Sequence, residues 1–459
     1  MKTIFLPIYY RQQARNVLRN AAFSKWVATG KVRVIIFTAS EKCQQYREEF
    51  SGPHVRIEPL KDIPDPYSFL DKLFRHLSYF YVDTKLVRHN RARFILHGDK
   101  KVLKYYWSLL GITVFGNVRP LRRFLKWCDK RFVGAPYYGE YFEKYHPDVV
   151  FVPHLASKID RMFIRHAHKR NIPTVGMINS WDTIGFSKFP IRVLPTTLLV
   201  HNYLIKKEAE RFLDMLEEHM TVIGIPHFDH YATARSEREI FFKRIGLDPN
   251  KRLILFAPFF DTAWQIAAIM QDAIVAGHLP ADVQILIRQH PTKDMDMGEL
   301  KLIDGITVTE KPVSECSGDT KTYTEVLKGD MEHLADTLHF ADVSVNTCST
   351  MTIDAAAFDT PIVNIAFDGW ENPPFYESVL QFYDESRVHY QPILKSGGVR
   401  LAYSPEELID HLNTYLKDPS LEREGRKRIV AEQCVWLDGR SGERMFQAVE
   451  DAVLYEKEK

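Results

Sequence analysis

The chain has 459 residues, of which 45% are apolar and 26% charged, with a net charge of +2 and five cysteines. That length exceeds what one hydrophobic core serves and predicts two domains of roughly 200 residues each. The composition excludes disordered and collagen-like chains, the near-zero charge argues against nucleic acid as a partner, and cysteines scattered at Cys43, Cys128, Cys316, Cys348 and Cys434 argue against a disulfide framework or a structural zinc.

The opening run TIFLPIYY reads as a buried strand, its apolar stretch being too short for a signal-peptide core. An amphipathic helix is predicted over Ala14–Ala28, a second strand over Val32–Ser40, then a charged helix and a third strand in HVRIEPL. These apolar runs are continuous rather than alternating, as strands buried on both faces of a parallel sheet require. After a long helical stretch the strands resume at Asp148–Ala156, Ile172–Asn179 and Thr196–Asn202, with the basic helix SKIDRMFIRHAHKRN between the first two. The charged stretch SEREIFFKRIGLDPNKR then marks the crossing to a second domain.

The second half repeats the alternation: RLILFAPFF, VQILIRQHP, GITVTEKP, DVSVNTC and PIVNIAFD are strands. Helices are predicted at Trp264–Ala276, Met331–Phe340 and Thr350–Phe358, followed by YSPEELIDHLNTYLKD with Ser404 as N-cap and Glu407 three residues on. The expected organisation is a domain over 1–235 with a helical insertion at about 65–146, a second over 236–440 and a C-terminal helix over 441–459. No run reaches the ~18 apolar residues of a membrane span, so the expectation is a cytoplasmic protein.

One region breaks the rhythm. Asp71–Arg131 holds fifteen Lys/Arg against four Asp, interleaved with Phe, Tyr and Trp. A basic aromatic helical segment suits an anionic membrane surface, with Arg122, Arg123, Lys126 and Lys130 as contacts. A packed insertion with solvated charges fits the same residues.

Several motifs are missing. No GxGxxG follows the first strand, and GxxxxGK[ST], HExxH and GxSxG do not occur, so neither a dehydrogenase nor a P-loop enzyme is indicated. What stands out is Asn346-Thr347-Cys348-Ser349-Thr350, small polar residues where a strand turns into a helix. Ligands of open α/β sheets bind at the carboxyl ends of strands, and a helix N-terminus offers free N–H groups to a phosphate. Asn346, Thr347, Ser349, Thr350 and Thr352 are therefore phosphate-site candidates, though one hydroxyl there also makes an ordinary helix cap. ILIRQHP brings Arg288 and His290 to a strand mouth, where they suit binding or protonating phosphate oxygens.

In the first half, INSWDTIGFSKF places Asn179, Ser180, Trp181, Asp182 and Lys188 after a strand. Asp182 beside an aromatic suits a general base, and an Asx turn equally. His154, His227 and Asp229 complete the acceptor-lining candidates. His389 with Gly397-Gly398 suits either a loop over a ligand or a plain turn.

RQHP, the block ADVSVNTCSTMTIDAAAFDTPIVNIAFD, the glycine pair and SPEEL resemble the C-terminal domain of GT-B glycosyltransferases, with NSWDTIGFSK similar to an SWDN-type element. The likeness is to bacterial surface and capsular polysaccharide enzymes, including the CDP-glycerol glycerophosphotransferase group. The resemblance implies an α/β fold of two Rossmann-like doubly wound domains facing across a cleft, the first for a glycan or lipid-linked acceptor and the second for a nucleotide donor. It implies a metal-independent glycosyltransferase with no cofactor beyond its nucleotide-sugar substrate. Within that framework the residues lead us to expect an inverting transfer peripheral to the inner membrane face, with Asp182, after a strand and beside Trp181, as base and His290 beside the leaving group. A polyol-phosphate transferase with a CDP donor, a nucleotide-sugar epimerase and an inactive assembly module share the framework.

Overall fold

The computed structural model describes residues 1–9, 11–186, 191–260, 262–291, 295–312, 314–315, 325–326 and 328–455. The chain forms two compact units, Met1–Asp229 with Arg440–Lys459, and His230–Glu315 with Thr324–Gly439.

The first unit is built on seven parallel strands: β1 (Lys2–Pro7), β2 (Val32–Ala39), β3 (Val55–Leu60), β4 (Val149–Val152), β5 (Thr174–Met177), β6 (Thr197–Val200) and β7 (Met220–Val222). Their spatial order is β3-β2-β1-β4-β5-β6-β7. Successive residues of one strand serve opposite cores. Phe5, Ile35 and Phe37 enter one apolar cluster, whereas Ile4, Leu6, Val34 and Ile36 enter another. Both faces are covered, which explains the unbroken apolar runs.

The predicted helix over Ala14–Ala28 is interrupted. A π-turn at Ala14–Leu18 precedes α1 (Ala21–Thr29), whose N-cap Asn20 accepts from the Ala22 N–H. Asn20 competes for backbone partners in the middle of the apolar pattern, and it restarts the helix there.

Between β3 and β4 the chain makes the helical insertion, including α2 (Phe69–Ser78), α3 (Val102–Asn117) and α4 (Arg119–Phe132). Buried ion pairs tie it to the sheet unit. Arg192, from the loop before β6, bonds Asp71 of α2 (2.6 Å) and Asp129 of α4 (2.8 Å), and Arg165 of α5 (Lys158–Lys169) also bonds Asp129. Arg122 and Lys126 are not the solvent-facing charges expected of this region. The Arg122 guanidinium is buried and grips both Asp214 oxygens (2.8 and 2.6 Å), and Lys126 reaches the same carboxylate at 3.1 Å. A buried guanidinium needs such a paired anion, so these two residues anchor the insertion.

The second unit carries β8 (Arg252–Ala257), β9 (Val283–Arg288), β10 (Thr307–Glu310), the two-residue pair β11 (Ser314–Glu315) and β12 (Glu325–Val326), β13 (Val343–Asn346), β14 (Ile362–Ile365) and β15 (Arg400–Ala402). The parallel sheet runs β10-β9-β8-β13-β14-β15. β13 leads into α6 (Thr350–Ala357), and β15 into α7 (Pro405–Lys417), whose Ser404 cap accepts from the Glu407 N–H at 3.2 Å. The C-terminal helix α8 (Ser441–Tyr455) belongs to the first unit: Met445 and Val449 are buried in the cluster that holds Trp26 of α1, and Lys25 pairs with Glu443 at 2.5 Å.

Candidate functional site

The strand order of the second unit singles out a candidate site. β8 starts the sheet, β9 and β10 extend it to one side, and the chain then crosses to lay β13 on the other side of β8. This reversal is a topological switch point, where loops diverge and leave a crevice at the carboxyl ends of β8 and β13. The Asn346–Thr350 turn stands there.

Its parts divide into a buried support and a reachable rim. Asn346 is buried, and its Oδ1 accepts from Thr352 Oγ1 at 2.7 Å and Asn364 Nδ2 at 2.9 Å. The Tyr390 hydroxyl lies 2.9 Å from Thr352 Oγ1 and donates to Asn364 Oδ1. Burial pushes the Tyr390 hydroxyl far above its ordinary range, keeping it a neutral donor. Asn346 and Thr352 are thus bound within the protein and fix the path of the turn. Cys348, Ser349 and Thr350 reach solvent. Ser349 occupies the N-cap of α6 in extended backbone, yet its hydroxyl caps no helix N–H and only approaches Asn346 Oδ1 at 3.5 Å. Thr347 is 1% exposed and its Oγ1 has no hydrogen-bond partner. A buried hydroxyl without a partner is costly. Beside a helix start whose cap side chain bonds none of the first N–H groups, it is an arrangement whose chemistry suits an anion.

Along the same edge, β9 delivers His290, whose ring lies 6.2 Å from that of Phe259, the residue just beyond β8. Phe259 is 44% exposed, a large aromatic left in solvent at the switch point. Neighbouring strands lie about 4.8 Å apart, so the order β9-β8-β13 sets His290, Phe259 and the turn side by side. Phe259 escaped the sequence reading. Its signal was present as an aromatic pair directly after a buried strand, but only the order of strands gives that position meaning.

Arg288 behaves differently from expectation. Its buried guanidinium bonds Glu310 at 2.5 Å and Asp330 at 2.7 Å, and His333 bonds the other Glu310 oxygen at 2.6 Å. Burial alone would raise the Glu310 carboxyl, but His333 and Arg288 outweigh it and hold the group below its usual range. Arg288 is already paired with two carboxylates, and β10 places Glu310 in register beside it. Gly397 has a left-handed φ of 67°, and a Cβ on Gly398 would lie 2.5 Å from the Gly425 backbone. The glycine pair therefore permits close packing of the 423–429 helix, while His389 is half-buried in the loop just before Tyr390.

In the first unit, His154 follows β4 and Asn179 follows β5, neighbouring strands. Burial pushes His154 down to about 4, so its imidazole is neutral near pH 7. Asn179 accepts from Asn16 (2.6 Å) and donates to Gln12 (2.6 Å), and Ser180 donates to Asp182 at 2.6 Å. Trp181 packs against the first apolar cluster. Burial and then the Asp182 charge push Glu208 up to about 7, a titratable carboxyl that sequence reasoning missed. Asp229 caps α8, accepting from the Ser441 and Gly442 N–H groups at 2.9 and 2.7 Å. His227 packs edge-on against Phe228. Lys188 lies outside the described residues.

No curated protein matches the chain. Among solved structures it is similar to the UDP-GlcNAc 2-epimerase of Methanocaldococcus jannaschii (TM-score 0.54, 12% identity, 98% of this chain and 100% of that one). It is also similar to the S. aureus MnaA–UDP structure (TM-score 0.52, 12% identity, 98% and 96% covered) and to the wall teichoic acid polymerase TagF soaked with CDPG (TM-score 0.52, 10% identity, 99% and 90% covered). The architecture is the expected α/β GT-B fold. Residues 195–451 match the family model of CDP-glycerol:poly(glycerophosphate) glycerophosphotransferase, more than half of the sequence, and the chain belongs to that family.

Proposed function

We propose that the chain is a transferase acting on a nucleotide-diphosphate-linked donor, whose phosphates rest at the Asn346–Thr350 turn. The single observation that carries this reading is the unpartnered, buried Thr347 hydroxyl beside the uncapped start of α6 at the switch point. The N–H groups there hold the growing negative charge on the departing nucleotide without having to reorganise. Family membership favours a CDP-linked polyol phosphate as the donor. In that case an acceptor hydroxyl forms a bond to the distal phosphorus while the pyrophosphate bond breaks and CMP leaves, and the hydroxyl proton passes to a base. His290, at the neighbouring strand mouth, is the proposed donor of a hydrogen bond to the leaving phosphate. Phe259 offers a flat apolar face beside it. The acceptor in this reading is the growing end of a surface polymer, glycan or lipid-linked, handled at the inner face of the membrane.

Calorimetric titration with CDP-glycerol, CDP, UDP-GlcNAc and UDP tests it. Tightest binding is expected for the cytidine compounds, weakened by about 1–3 kcal/mol in a Ser349→Ala/Thr350→Ala variant that keeps its melting temperature. Preference for UDP-GlcNAc would assign a sugar donor instead. Unchanged affinity in the folded double variant would remove the turn from the binding site.

A further inference from the structure

The first unit has a switch point of its own. β1 lies inside its sheet, β2 and β3 extend one side of it, and the chain then returns to lay β4, β5 and β6 on the other. The segment that leaves the carboxyl end of β1 does not run straight into a regular helix. The Tyr9 N–H donates to Gln13 Oε1 at 2.6 Å, and the π-turn Ala14–Leu18 follows before Asn20 restarts α1.

This segment reaches across β4 to the mouth of β5. Asn16, fully buried, donates from Nδ2 to Asn179 Oδ1 at 2.6 Å, and Asn179 passes the chain on by donating to Gln12 Oε1 at 2.6 Å. Arg15 donates from Nε to Asn16 Oδ1 at 3.2 Å, which orients its guanidinium. The row of amides has a direction. It starts at the buried Asn16 and ends in the amide nitrogen of the exposed Gln12, three residues from the half-buried Arg15.

His201 joins the same cluster. β5 and β6 pair in parallel with Met177 opposite Leu199, so two residues on, Asn179 and His201 stand level at neighbouring strand ends. Side chains alternate faces along a strand. Both therefore fall on the side of Met177 and Leu199, whose apolar cluster also takes in Ala14, Val17 and Leu18 of the π-turn. His201 is 3% exposed, and its Nε2 has no hydrogen-bond partner among the described residues. Burial, and then the Arg15 charge, push the imidazole down to about 4, so it is neutral near pH 7. Asn16 and Asn179 satisfy one another, whereas a buried imidazole nitrogen left open is costly unless a ligand meets it. A neutral hydroxyl would be served by the amides alone. A guanidinium oriented through its Nε matches the oxygens of a phosphate.

We infer that Gln12, Arg15 and His201, supported by Asn16 and Asn179, form a site in the first unit for the phosphate of a phosphate ester. The site goes beyond the donor reading and uses no residue of the Asn346–Thr350 turn; only the assignment of that ester to an acceptor chain rests on that reading.

Calorimetric titration of the full chain with glycerol, glycerol 3-phosphate, glycerophosphoglycerol and inorganic phosphate tests it, in a Ser349→Ala/Thr350→Ala background that weakens binding at the turn. There the phosphorylated probes should still bind and glycerol should not. Adding Arg15→Gln should weaken them by about ten-fold or more, and Gln12→Leu by about three-fold. Arg15→Gln alone should leave CDP affinity unchanged. In ring NMR spectra the His201 signal, identified by its loss in His201→Gln, should shift as the probe is added. Tighter binding of the diester supports the site as one for a polymer's phosphodiester, and tighter binding of the monoester supports it as one for a free phosphorylated polyol. Should Arg15→Gln lower the melting temperature, Gln12→Leu, at an exposed position, carries the comparison. Undiminished affinity in both folded variants, glycerol binding as tightly as its phosphate, or no phosphorylated probe binding at millimolar concentration would each overturn the inference. Binding that survives Arg15→Gln but vanishes with Ser349 and Thr350 would overturn it too, while leaving the donor reading in place.

Discussion

Thr347 shows how a single hydroxyl can trade stability for binding. Its Oγ1 is buried without a partner, so Thr347→Val, nearly isosteric, removes a desolvated polar group and should stabilise the second unit by about 1 kcal/mol. The same change removes a donor from the proposed phosphate site and should weaken CDP binding by about 1 kcal/mol. Urea unfolding and calorimetry on one variant read both signs, and a stability gain with unchanged affinity would make the residue a mere defect. Glu208 offers a pH-dependent counterpart in the first unit. Its carboxyl titrates near 7 in the folded chain because of burial and the adjacent Asp182 charge, against about 4.3 when unfolded. Folding therefore takes up a proton between those values. The stability this adds is complete below about pH 4 and is lost as pH rises to about 7, a change of about 2–3 kcal/mol. Glu208→Gln should erase that component, so the difference in unfolding free energy between variant and wild type must change by this amount between pH 4.5 and 8. A flat difference would place Glu208 in water.

At the scale of elements, helices of opposite purpose share one insertion. α4 turns Arg122, Lys126 and Asp129 inward to buried partners and leaves Arg119, Arg123, Phe124 and Trp127 outside. Burial lowers the Lys126 ammonium to about 8, even with Asp214 working in the other direction. Asp214→Ala would strand two buried cations and should cost about 3–5 kcal/mol in denaturant unfolding. Arg123→Ala, on the exposed side of the same helix, should cost less than about 0.5 kcal/mol. Equal effects would mean that Asp214 is not the anchor. From the sequence, all fifteen cations of the insertion look alike. Spacing separates the faces of a helix, but it does not say which face meets the protein. Here the usual rule of large apolar residues inward is reversed along α3, where Leu103 and Trp107 are 78% and 71% exposed while Ser108 and Ile112 are buried.

For the whole molecule, α8 is the return stroke that closes the first unit. Removing residues 441–459 would expose Trp26 and withdraw Met445 and Val449 from its cluster, and it would leave Asp229 without the N–H groups it caps. The loss should be about 5 kcal/mol. By hydrogen exchange, β1, β4 and β5 should lose protection while β8, β9 and β13 keep theirs; equal losses would mean that the units unfold together. Local pattern alone determined the two sets of buried parallel strands, the Ser404 cap and the polar turn before α6, because each rests on residues a few positions apart whose periodicity or hydroxyl chemistry is complete in itself. It did not determine that Arg288 is consumed by Glu310 and Asp330, that the Phe259 ring lies against His290, or that Asp229 caps a helix more than two hundred residues later. Those facts depend on strand order and on pairings between distant segments. A side chain's role follows from its solvent and its partners, and in this chain both are set by which strands the fold lays side by side.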